Sequence, residues 1–277
     1  MPVNSIRVGT FDIHSVSDGY MIFQREDFFP DVKKESWRQY PPYAKPKFEM
    51  NIGSFVIKGT RKTILVDTGL GKLDHRIEQP VGKTLLSELD TFNIIPNDID
   101  IVFLTHLHMD HVGTNMAKDN GIWKPTFPNA RYIVGKSDWE MFSGLLHKPA
   151  YKYLEEQIQP LISNGTLDFF EGEITLTEGV VTLPTPGHTP GHTSLLINSN
   201  GEKAVIMGDA AHIPPQVEET SWSPSPDIDK NLSAETRSSL MALIESSHAL
   251  IASGHFPKPG FGEIIKVDSK RFYRPIR

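Results

Sequence analysis

The chain has 277 residues, of which 38% are hydrophobic and 22% are charged, and this composition is typical of a globular protein that buries a full core. Its formal net charge of −6 at pH 7 provides no basic field, so we expect no nucleic-acid partner. Because cysteine is absent, disulfides, thiolate nucleophiles and zinc sites with cysteine ligands are excluded. The sequence shows neither an apolar run long enough for a membrane span nor the apolar stretch of a signal peptide, which predicts a cytoplasmic protein without a membrane partner.

The first fifty residues combine two strand patterns with a segment that is rich in aromatic side chains. Short alternating runs at 5–8 and 11–16 predict a pair of strands. The segment 18–50 has no clear period and holds eight aromatic residues and four prolines. Such a segment either packs irregularly against the body of the protein or lines a substrate cleft or a dimer contact.

The rest of the chain alternates short strands with helices. Apolar spacing predicts helices over 83–92, from Ser137 onward, over 150–162, and from Ser233 to about 246. The predicted strands are 55–58, 63–66, 101–104, 131–134, 180–183, 194–197, 204–207 and 250–252, with turns at 59–61 and 200–201. Because strands dominate and nothing marks a linker, we predict one domain over 1–277 with α/β or α+β layering.

Four side chains of types that bind metal ions lie within six residues, directly after the apolar strand at 101–104. On an extended segment His106, His108 and Asp110 share one face, and His111 can join them if the chain turns. Burying this many polar groups is costly unless a metal ion or hydrogen bonds satisfy them. The pattern therefore indicates a metal site, and the alternative is an exposed polar turn.

Further polar side chains stand at the ends of separate predicted strands. His188 lies in a turn that proline and glycine residues make rigid. Asp67, Asp209 and His255 each follow an apolar strand. An active site at the edge of a sheet requires this placement, so we expect these residues to meet the cluster at 106–111.

This set of motifs resembles the metallo-β-lactamase superfamily. The resemblance rests on His106-x-His108-x-Asp110-His111, followed in order by His188, Asp209 and His255, and on the runs 64–69 and 185–188. It covers residues 51–262 and implies a four-layer αβ/βα sandwich, an α/β (α+β) fold in which two sheets pack between outer helices. The metal ions would lie at one edge of the sheets.

By the same resemblance the site holds two divalent metal ions. One ion would bind His106, His108 and His188, the second would bind Asp110, His111 and His255, and Asp209 would bridge both. We expect zinc, with manganese, iron or cobalt as alternatives, because histidine and aspartate ligands do not identify the metal. The resemblance implies an enzyme, a hydrolase in which a bridging hydroxide attacks the substrate and either Asp110 or a metal-bound water handles the proton.

Other polar residues are expected to support this site. Asp67 would orient a ligand histidine, and His192 would pack near the site without binding metal. His212 stands three residues after Asp209, where related lactonases often have a tyrosine, and we expect it to orient the substrate or to act in catalysis. Histidines without a partner pattern are expected at the surface: His14, His75, His147 and His248.

Within the superfamily the chain is most similar to the branch of N-acyl-homoserine lactonases and methyl parathion hydrolases, on the basis of 208–212 and 254–262. The expected substrate is a small molecule, either a lactone, an ester or a phosphotriester, and lactonase-like activity is favoured. In that branch the N-terminal segment helps to form the pocket and a homodimer. By this likeness the substrate pocket would be lined by Phe28, Phe29, Trp37 and Tyr40. The alternatives are a glyoxalase II-like thioester hydrolase, a diiron redox protein and a metal-binding member without turnover.

Overall fold

Two seven-stranded sheets form the body of the protein in the computed structural model, which describes residues 4–72, 84–268 and 270–276. The first nine strands in chain order are β1 (Ser5–Val8), β2 (Phe11–Gln24), β3 (Lys47–Lys58), β4 (Thr63–Val66), β5 (Ile101–Leu104), β6 (Met116–Asp119), β7 (Ile122–Pro125), β8 (Arg131–Gly135) and β9 (Leu167–Phe170). The first sheet has the order β1-β2-β3-β4-β5-β8-β9, and β6 pairs with β7 in a separate hairpin. Its last four strands run parallel, so their carboxyl ends meet at one edge.

The second sheet contains seven further strands, which follow one another in space as they do in sequence. They are β10 (Thr175–Thr177), β11 (Val180–Pro184), β12 (Thr193–Ser199), β13 (Glu202–Ile206), β14 (Leu250–Ala252), β15 (Phe261–Val267) and β16 (Lys270–Pro275). Neighbouring strands are antiparallel except β13 and β14, which pair in parallel. The carboxyl ends of β13 and β14 therefore lie side by side.

Helices cover the outer faces of the two sheets. The α-helices are α1 (Arg25–Phe28), α2 (Leu85–Asp90), α3 (Met109–Val112), α4 (Lys136–Ser143), α5 (Tyr153–Gln157), α6 (Gln159–Ser163) and α7 (Lys230–Ser247). Short 3-10 helices cover Lys34–Gln39, Pro41–Tyr43, Pro96–Asp98, Pro149–Tyr151, Gly208–Ala210 and Pro214–Val217. Helices α2 and α4–α6 pack on the first sheet, and α7 packs on the second. None of the described helices has the length and hydropathy needed to cross a membrane.

The core follows from the alternation of side chains between the two faces of each strand. Phe55 and Phe103 point into the space between the sheets, where they join Leu195 in one cluster. On the opposite face of the same strands, Val56 and Val102 pack with the helices of the outer layer. With α7 on the far side of the second sheet, the order of layers is helix, sheet, sheet and helix. This arrangement confirms the predicted four-layer fold.

The N-terminal strands are longer than the sequence pattern indicated. Strand β2 continues to Gln24 and β3 begins at Lys47, so both ends of the segment 18–50, which the sequence pattern left unassigned, belong to a long antiparallel pair. The pairing register shifts between Ser17 and Tyr20, where Gly19 has a φ of 96°. A bulge of this kind interrupts the period of two, which explains why the alternation was not visible in the sequence.

Three helix predictions were wrong in their boundaries. Helix α7 begins at Lys230 because Asp229, and not Ser233, caps it: the Asp229 carboxylate accepts the N–H of Leu232 at 3.0 Å. The stretch 150–162 forms a 3-10 turn followed by two short helices, with Pro160 in the first turn of α6, where its missing N–H costs least. The predicted helix over 83–92 is found as the shorter α2, and residue 83 lies outside the described part of the chain.

Candidate metal centre

The predicted ligand residues lie together at one edge of the two sheets. His106 and His108 follow β5, and His188 lies in the turn between β11 and β12. Asp209 follows β13, and His255 follows β14. Since these strands end at the same edge, residues that are up to 149 positions apart in the sequence (from 106 to 255) become neighbours.

Three histidine nitrogens converge on one point, which we call the first trio (His106, His108 and His188). The Nδ1 atom of His108 lies 3.0 Å from Nε2 of His106 and 2.9 Å from Nε2 of His188. A ring nitrogen carries either one proton or one lone pair, so Nδ1 of His108 makes one good hydrogen bond, and hydrogen bonds alone cannot satisfy all three nitrogens. The Oδ2 atom of Asp209 lies 3.3 Å from the same nitrogen of His188. A single cation would satisfy all four atoms, which lie within 4.8 Å of one another.

A second trio (Asp110, His111 and His255) lies on the other side of Asp209. The Oδ2 atom of Asp110 is 3.8 Å from Nε2 of His111 and 3.6 Å from Nε2 of His255. The Oδ1 atom of Asp209 is 3.3 Å from the first of these nitrogens and 3.1 Å from the second. The Asp209 carboxylate thus stands between the two trios, as the predicted bridging role requires.

Hydrogen bonds on the outer side of the rings determine which nitrogen of each histidine faces the centre. The outward Nδ1 atoms bond to oxygen as follows: His188 to Asp227 at 2.8 Å, His111 to Asp67 at 2.9 Å, His255 to the Asn51 carbonyl at 2.8 Å, and His106 to the Thr105 hydroxyl at 3.0 Å. A proton on Nδ1 leaves a lone pair on Nε2, which is the form that binds a metal ion. The rings are therefore oriented as ligands.

Buried polar atoms without a hydrogen-bond partner provide an independent test of the fit. Among the described residues, His111 Nε2 and Asp209 Oδ1 are buried and make no hydrogen bond, and both point toward the centre. An unsatisfied buried polar atom costs on the order of 1–3 kcal/mol, so the arrangement is unfavourable unless something binds there. Nitrogen and carboxylate donors suit divalent transition metals, and the residues fit two such ions.

The pKa values favour the metal-binding form of the first trio. Burial, together with the neighbouring histidines, lowers the pKa of His108 to about 3. Burial also lowers the pKa of His188 to about 4, and it lowers the pKa of His106 well below its usual value. In the second trio burial opposes charge as well, but the nearby carboxylates of Asp209 and Asp67 raise the pKa of His111. The histidines of the first trio are thus kept neutral, whereas a positive charge on His111 in the second trio is compensated by the neighbouring carboxylates.

Asp67 and His192 lie where they can support the ligands. Asp67 has a φ of 61° at the end of β4, and its carboxylate accepts the Thr105 N–H at 2.8 Å as well as bonding to His111. The Nε2 atom of His192 accepts the backbone N–H of Asp209 at 2.9 Å, and within the described residues His192 belongs to none of the groups that can hold a metal ion. A Cβ at Gly208 would lie 2.6 Å from that same nitrogen, so only glycine fits before Asp209.

Two residues that sequence reasoning missed extend the site outward. Asp227 is buried and links His188 to the guanidinium of Arg237, whose Nη2 atom lies 3.1 Å from the carboxylate. Arg237 also donates to the carbonyls of Ala210 and Trp222. Asp227 lies 39 positions after its histidine, and no local pattern in the sequence indicates this partnership.

His212 lies beside the bridging carboxylate. Its side chain is 1% exposed, and its Nε2 atom is 3.1 Å from Oδ2 of Asp209. The ring stacks on His255 with centroids 5.4 Å apart, and neither of its nitrogens has a hydrogen-bond partner of good geometry among the described residues. His212 is one of the residues that line the cavity beside the two trios.

A cavity of about 410 Å³ opens onto the two trios. Its lining residues are Met21, Phe23, Phe28, Met50, His108, Met109, Asp110, Ala150, Tyr151, Tyr153, His188, Asp209, His212, Pro226 and His255. Away from the ligand residues the wall is mostly apolar, and no lysine or arginine lines it within the described parts of the chain.

Of the four aromatic residues predicted to line the pocket, Phe28 is found among the described lining residues and the other three are not. Phe28 lines the cavity and packs against His212, with ring centroids 5.5 Å apart. Phe29, Trp37 and Tyr40 lie behind it in what we call the aromatic cluster, the packed group of Phe28, Phe29, Trp37, Tyr40, Phe48 and Trp222. Trp37 is only 2% exposed. The dimer contact proposed for this segment stays a prediction.

The histidines expected at the surface differ in their environments. His147 and His248 are exposed, as predicted. His14 is half-buried instead, because its ring stacks on Phe92 and its Nδ1 atom lies 2.8 Å from the Ser5 hydroxyl. His75 lies outside the described residues.

Comparisons with known proteins agree with this geometry. The family model of the metallo-beta-lactamase superfamily matches residues 51–255. An N-acyl homoserine lactonase of a Bacillus species is 26% identical over 223 residues, which are 75% of this chain and 82% of the relative. An N-acyl homoserine lactonase of Bacillus thuringiensis is 29% identical over 161 residues, which are 58% of this chain and 57% of the relative, so this match spans little more than half of that enzyme.

Among solved structures, AidC, described as a dizinc quorum-quenching lactonase in complex with a hexanoyl-homoserine product, has a TM-score of 0.82 at 24% identity. The superposition covers 99% of this chain and 97% of AidC, and at this identity it establishes the fold. The family match and the relatives confirm the resemblance found in the sequence and the predicted class, a metal-dependent hydrolase. The chain belongs to the metallo-beta-lactamase superfamily.

Proposed function

We propose that the protein is a dinuclear metal-dependent hydrolase that opens the ring of lactones with an apolar acyl chain. The observation that carries this proposal is the placement of the two trios, with Asp209 between them, at the end of a mostly apolar cavity. The lactonase relatives from Bacillus support the choice of lactones over other esters.

The first trio would hold one ion, the second trio would hold the other, and Asp209 would contact both. Bound divalent ions supply a water molecule that ionises near neutral pH, and they polarise the carbonyl group that is attacked. We propose zinc, because its usual ligands are imidazole nitrogen and carboxylate oxygen and because the structural neighbour AidC is a dizinc protein.

Two side chains of the protein would handle protons and orient the substrate. The Asp110 carboxylate is 12% exposed and lines the cavity, so it can accept a proton from the attacking water and return it to the alkoxide that leaves when the ring opens. His212 lines the same cavity and its ring nitrogens make no hydrogen bond among the described residues, so its N–H would donate to the carbonyl oxygen of the lactone.

The chemistry of the cavity wall separates the proposed substrate from the glyoxalase II-like alternative. Met21, Phe23 and Met50 offer apolar surface for an acyl chain. A glutathione thioester carries two carboxylates, and the described lining residues offer them no lysine or arginine. Burying unpaired carboxylates is costly, so an uncharged acyl substrate fits this wall better.

A panel of substrates tests the proposal. Zinc-loaded protein would be assayed against an N-acyl-homoserine lactone, an aryl ester, an aryl phosphotriester, a glutathione thioester and a β-lactam, with Asp209→Ala as control. We expect the lactone to be turned over fastest, and we expect the variant to be inactive. An intact lactone beside a rapidly hydrolysed thioester would overturn the lactonase assignment in favour of the glyoxalase II-like alternative.

A further inference from the structure

A buried carboxylate outside both trios connects the two loops that carry the first trio. Asp138 lies in the first turn of α4 and is 0% exposed. Its Oδ2 atom accepts the backbone N–H of Leu107 at 3.0 Å, and its Oδ1 atom accepts the N–H of Gly191 at 2.6 Å. These donors lie 31 and 53 positions away in the sequence, so Asp138 joins two distant segments.

Each of these two segments carries ligands of the first trio. Leu107 lies between His106 and His108, and Gly191 belongs to the rigid turn that begins at Thr185 and contains His188. The position of Leu107 is further fixed by the Tyr153 hydroxyl, which donates to its carbonyl at 2.8 Å. All three nitrogens of the first trio therefore stand on backbone that Asp138 holds together.

The turn is shaped to admit the carboxylate closely. A Cβ placed on Gly191 would lie 2.6 Å from the backbone nitrogen of Asp138 and 2.8 Å from its Oδ1 atom. Both distances are too short for real carbon contacts, so a side chain at this position would push the turn away from α4. The glycine and the aspartate thus form one fitted contact.

This carboxylate is costly to keep buried. Within the described residues Asp138 forms no ion pair with a lysine or arginine, and burial raises its pKa to about 6. A buried charge without a cation partner destabilises a fold unless its hydrogen bonds provide something that an apolar residue would not. Here the two bonds fix the distance between two loops, and that distance determines whether the three nitrogens meet.

We propose that Asp138 is a positioning residue for the metal ion of the first trio. The inference rests on the proposed two-metal site and is independent of the substrate. Asp110 and His111 follow Leu107 on α3, where His111 is held by its own bond to Asp67, and no hydrogen bond of Asp138 reaches these side chains or His255. Binding at the second trio therefore depends on Asp138 far less. Loss of the clamp should weaken one ion selectively.

The experiment measures zinc affinity by chelator competition after Asp138→Asn in two backgrounds. His255→Ala removes a member of the second trio and leaves the first trio complete. His188→Ala removes a member of the first trio and leaves the second trio complete. Asparagine keeps the shape of the side chain, but it accepts at only one oxygen and its amide group faces the other backbone N–H. In the His255→Ala background we expect zinc affinity to fall by ~10–100-fold, the usual effect of losing a group that orients a ligand. In the His188→Ala background we expect a change of less than ~3-fold.

A second variant and a matched control separate positioning from folding. Gly191→Ala should displace the same turn and should reproduce the selective loss. Asp18→Asn removes another buried carboxylate that accepts two backbone N–H groups, from Gly71 and Leu85, but lies on neither loop. Asp18→Asn should lower the free energy of unfolding, and any change in zinc affinity should be the same in both backgrounds.

The outcomes distinguish this inference from the proposed function. The positioning role would be overturned if Asp138→Asn and Gly191→Ala each lowered zinc affinity equally in the two backgrounds, or lowered it in neither. The two-metal site would remain intact in that case. Wild-type protein that binds a single ion would contradict the dinuclear proposal, and the His255→Ala comparison would still decide the role of Asp138.

Discussion

The edge of the sheets that carries the two trios and Asp209, here called the metal edge, contacts the aromatic cluster through Phe28 and His212. The two regions are nevertheless built in opposite ways. At the metal edge nearly every side chain is polar and buried, so each one needs a specific partner at hydrogen-bond distance. In the aromatic cluster the rings of Trp37 and Trp222 lie 4.5 Å apart, and stability comes from buried apolar area that requires no exact pairing.

This contrast indicates that chemistry and folding stability are largely separated in the molecule. Changes at the metal edge should alter metal binding and turnover, and changes in the aromatic cluster should alter the free energy of unfolding. Asp227 and Arg237 are the exception, because they bond to His188 on one side and to the carbonyl of Trp222 on the other. Substitutions in each group can test this division.

The largest effect on turnover is expected for Asp209→Ala. The variant loses the carboxylate that stands between the trios, and with it at least one bound ion. Metal ions supply several kcal/mol of charge stabilisation in the transition state, so lactone hydrolysis should fall by at least ~1000-fold. Zinc content and kcat/KM measured on the same sample check this. Full zinc content with normal turnover would show that Asp209 does not bridge the ions.

Trp37→Ala should have the complementary effect. Removing this buried ring should lower the free energy of unfolding by ~3–5 kcal/mol, because the cavity it leaves cannot collapse fully. The zinc content of the folded protein should stay unchanged. Urea unfolding and metal analysis give both values. Trp123→Ala, on the half-exposed β6–β7 hairpin, is the matched control and should cost no more than ~2 kcal/mol. A loss of zinc in Trp37→Ala would contradict the separation of the two regions.

Asp227→Asn should affect both properties at once. The guanidinium of Arg237 would keep its carbonyl partners but lose its only carboxylate among the described residues, which should cost ~3 kcal/mol of stability. His188 would lose the acceptor that orients its ring, and zinc affinity should fall by ~10–100-fold. Unfolding curves with and without zinc, together with chelator competition, measure the two changes. Should only one of them change, the two regions are not coupled through this pair.

His212→Ala should reduce turnover without removing metal. The loss of one hydrogen-bond donor to a developing charge lowers kcat by ~100-fold, and KM should change little. Steady-state kinetics and zinc content of the variant, with His248→Ala at an exposed position as control, check this expectation. His212 also lies within reach of Asp209 and His255 as a third group able to hold a cation. Loss of an ion in His212→Ala would therefore make it a ligand instead of a substrate contact.

The candidate metal ligands could be found in the sequence because their signal is local. His106, His108, Asp110 and His111 lie within six consecutive positions after an apolar strand, and the other candidate ligands each follow a strand within a few residues. The resemblance to a known family then supplied the pairing into two trios. Ten of the fourteen strands of the two sheets were recognisable for the same reason, since four or five alternating or apolar residues are sufficient to indicate one, whereas β9, β10, β15 and β16 were not predicted.

What could not be predicted depends on tertiary contacts. Asp227 and Asp138 lie in segments without a motif, and only the packing of α7 and α4 brings them to His188 and to the loop at Leu107. The bulge after Ser17 hid the length of β2. Trp37 was expected beside the substrate because aromatic residues suit both a cavity wall and a core, and the sequence does not distinguish these two environments.

The smallest expected effect concerns the cavity wall, where the two regions meet. Met50 lies on β3, belongs to the wall and packs with the aromatic cluster. In the wild type each methylene buried along this wall should raise kcat/KM by ~4-fold, which corresponds to ~0.8 kcal/mol. Met50→Ala enlarges the cavity, so the preferred acyl chain should become longer while zinc content stays the same. A series of N-acyl-homoserine lactones of increasing chain length measures the shift. Met241→Ala, on the buried face of α7 and away from the cavity, should leave the preference unchanged. An equal shift in both variants would mean that this wall does not contact the acyl chain.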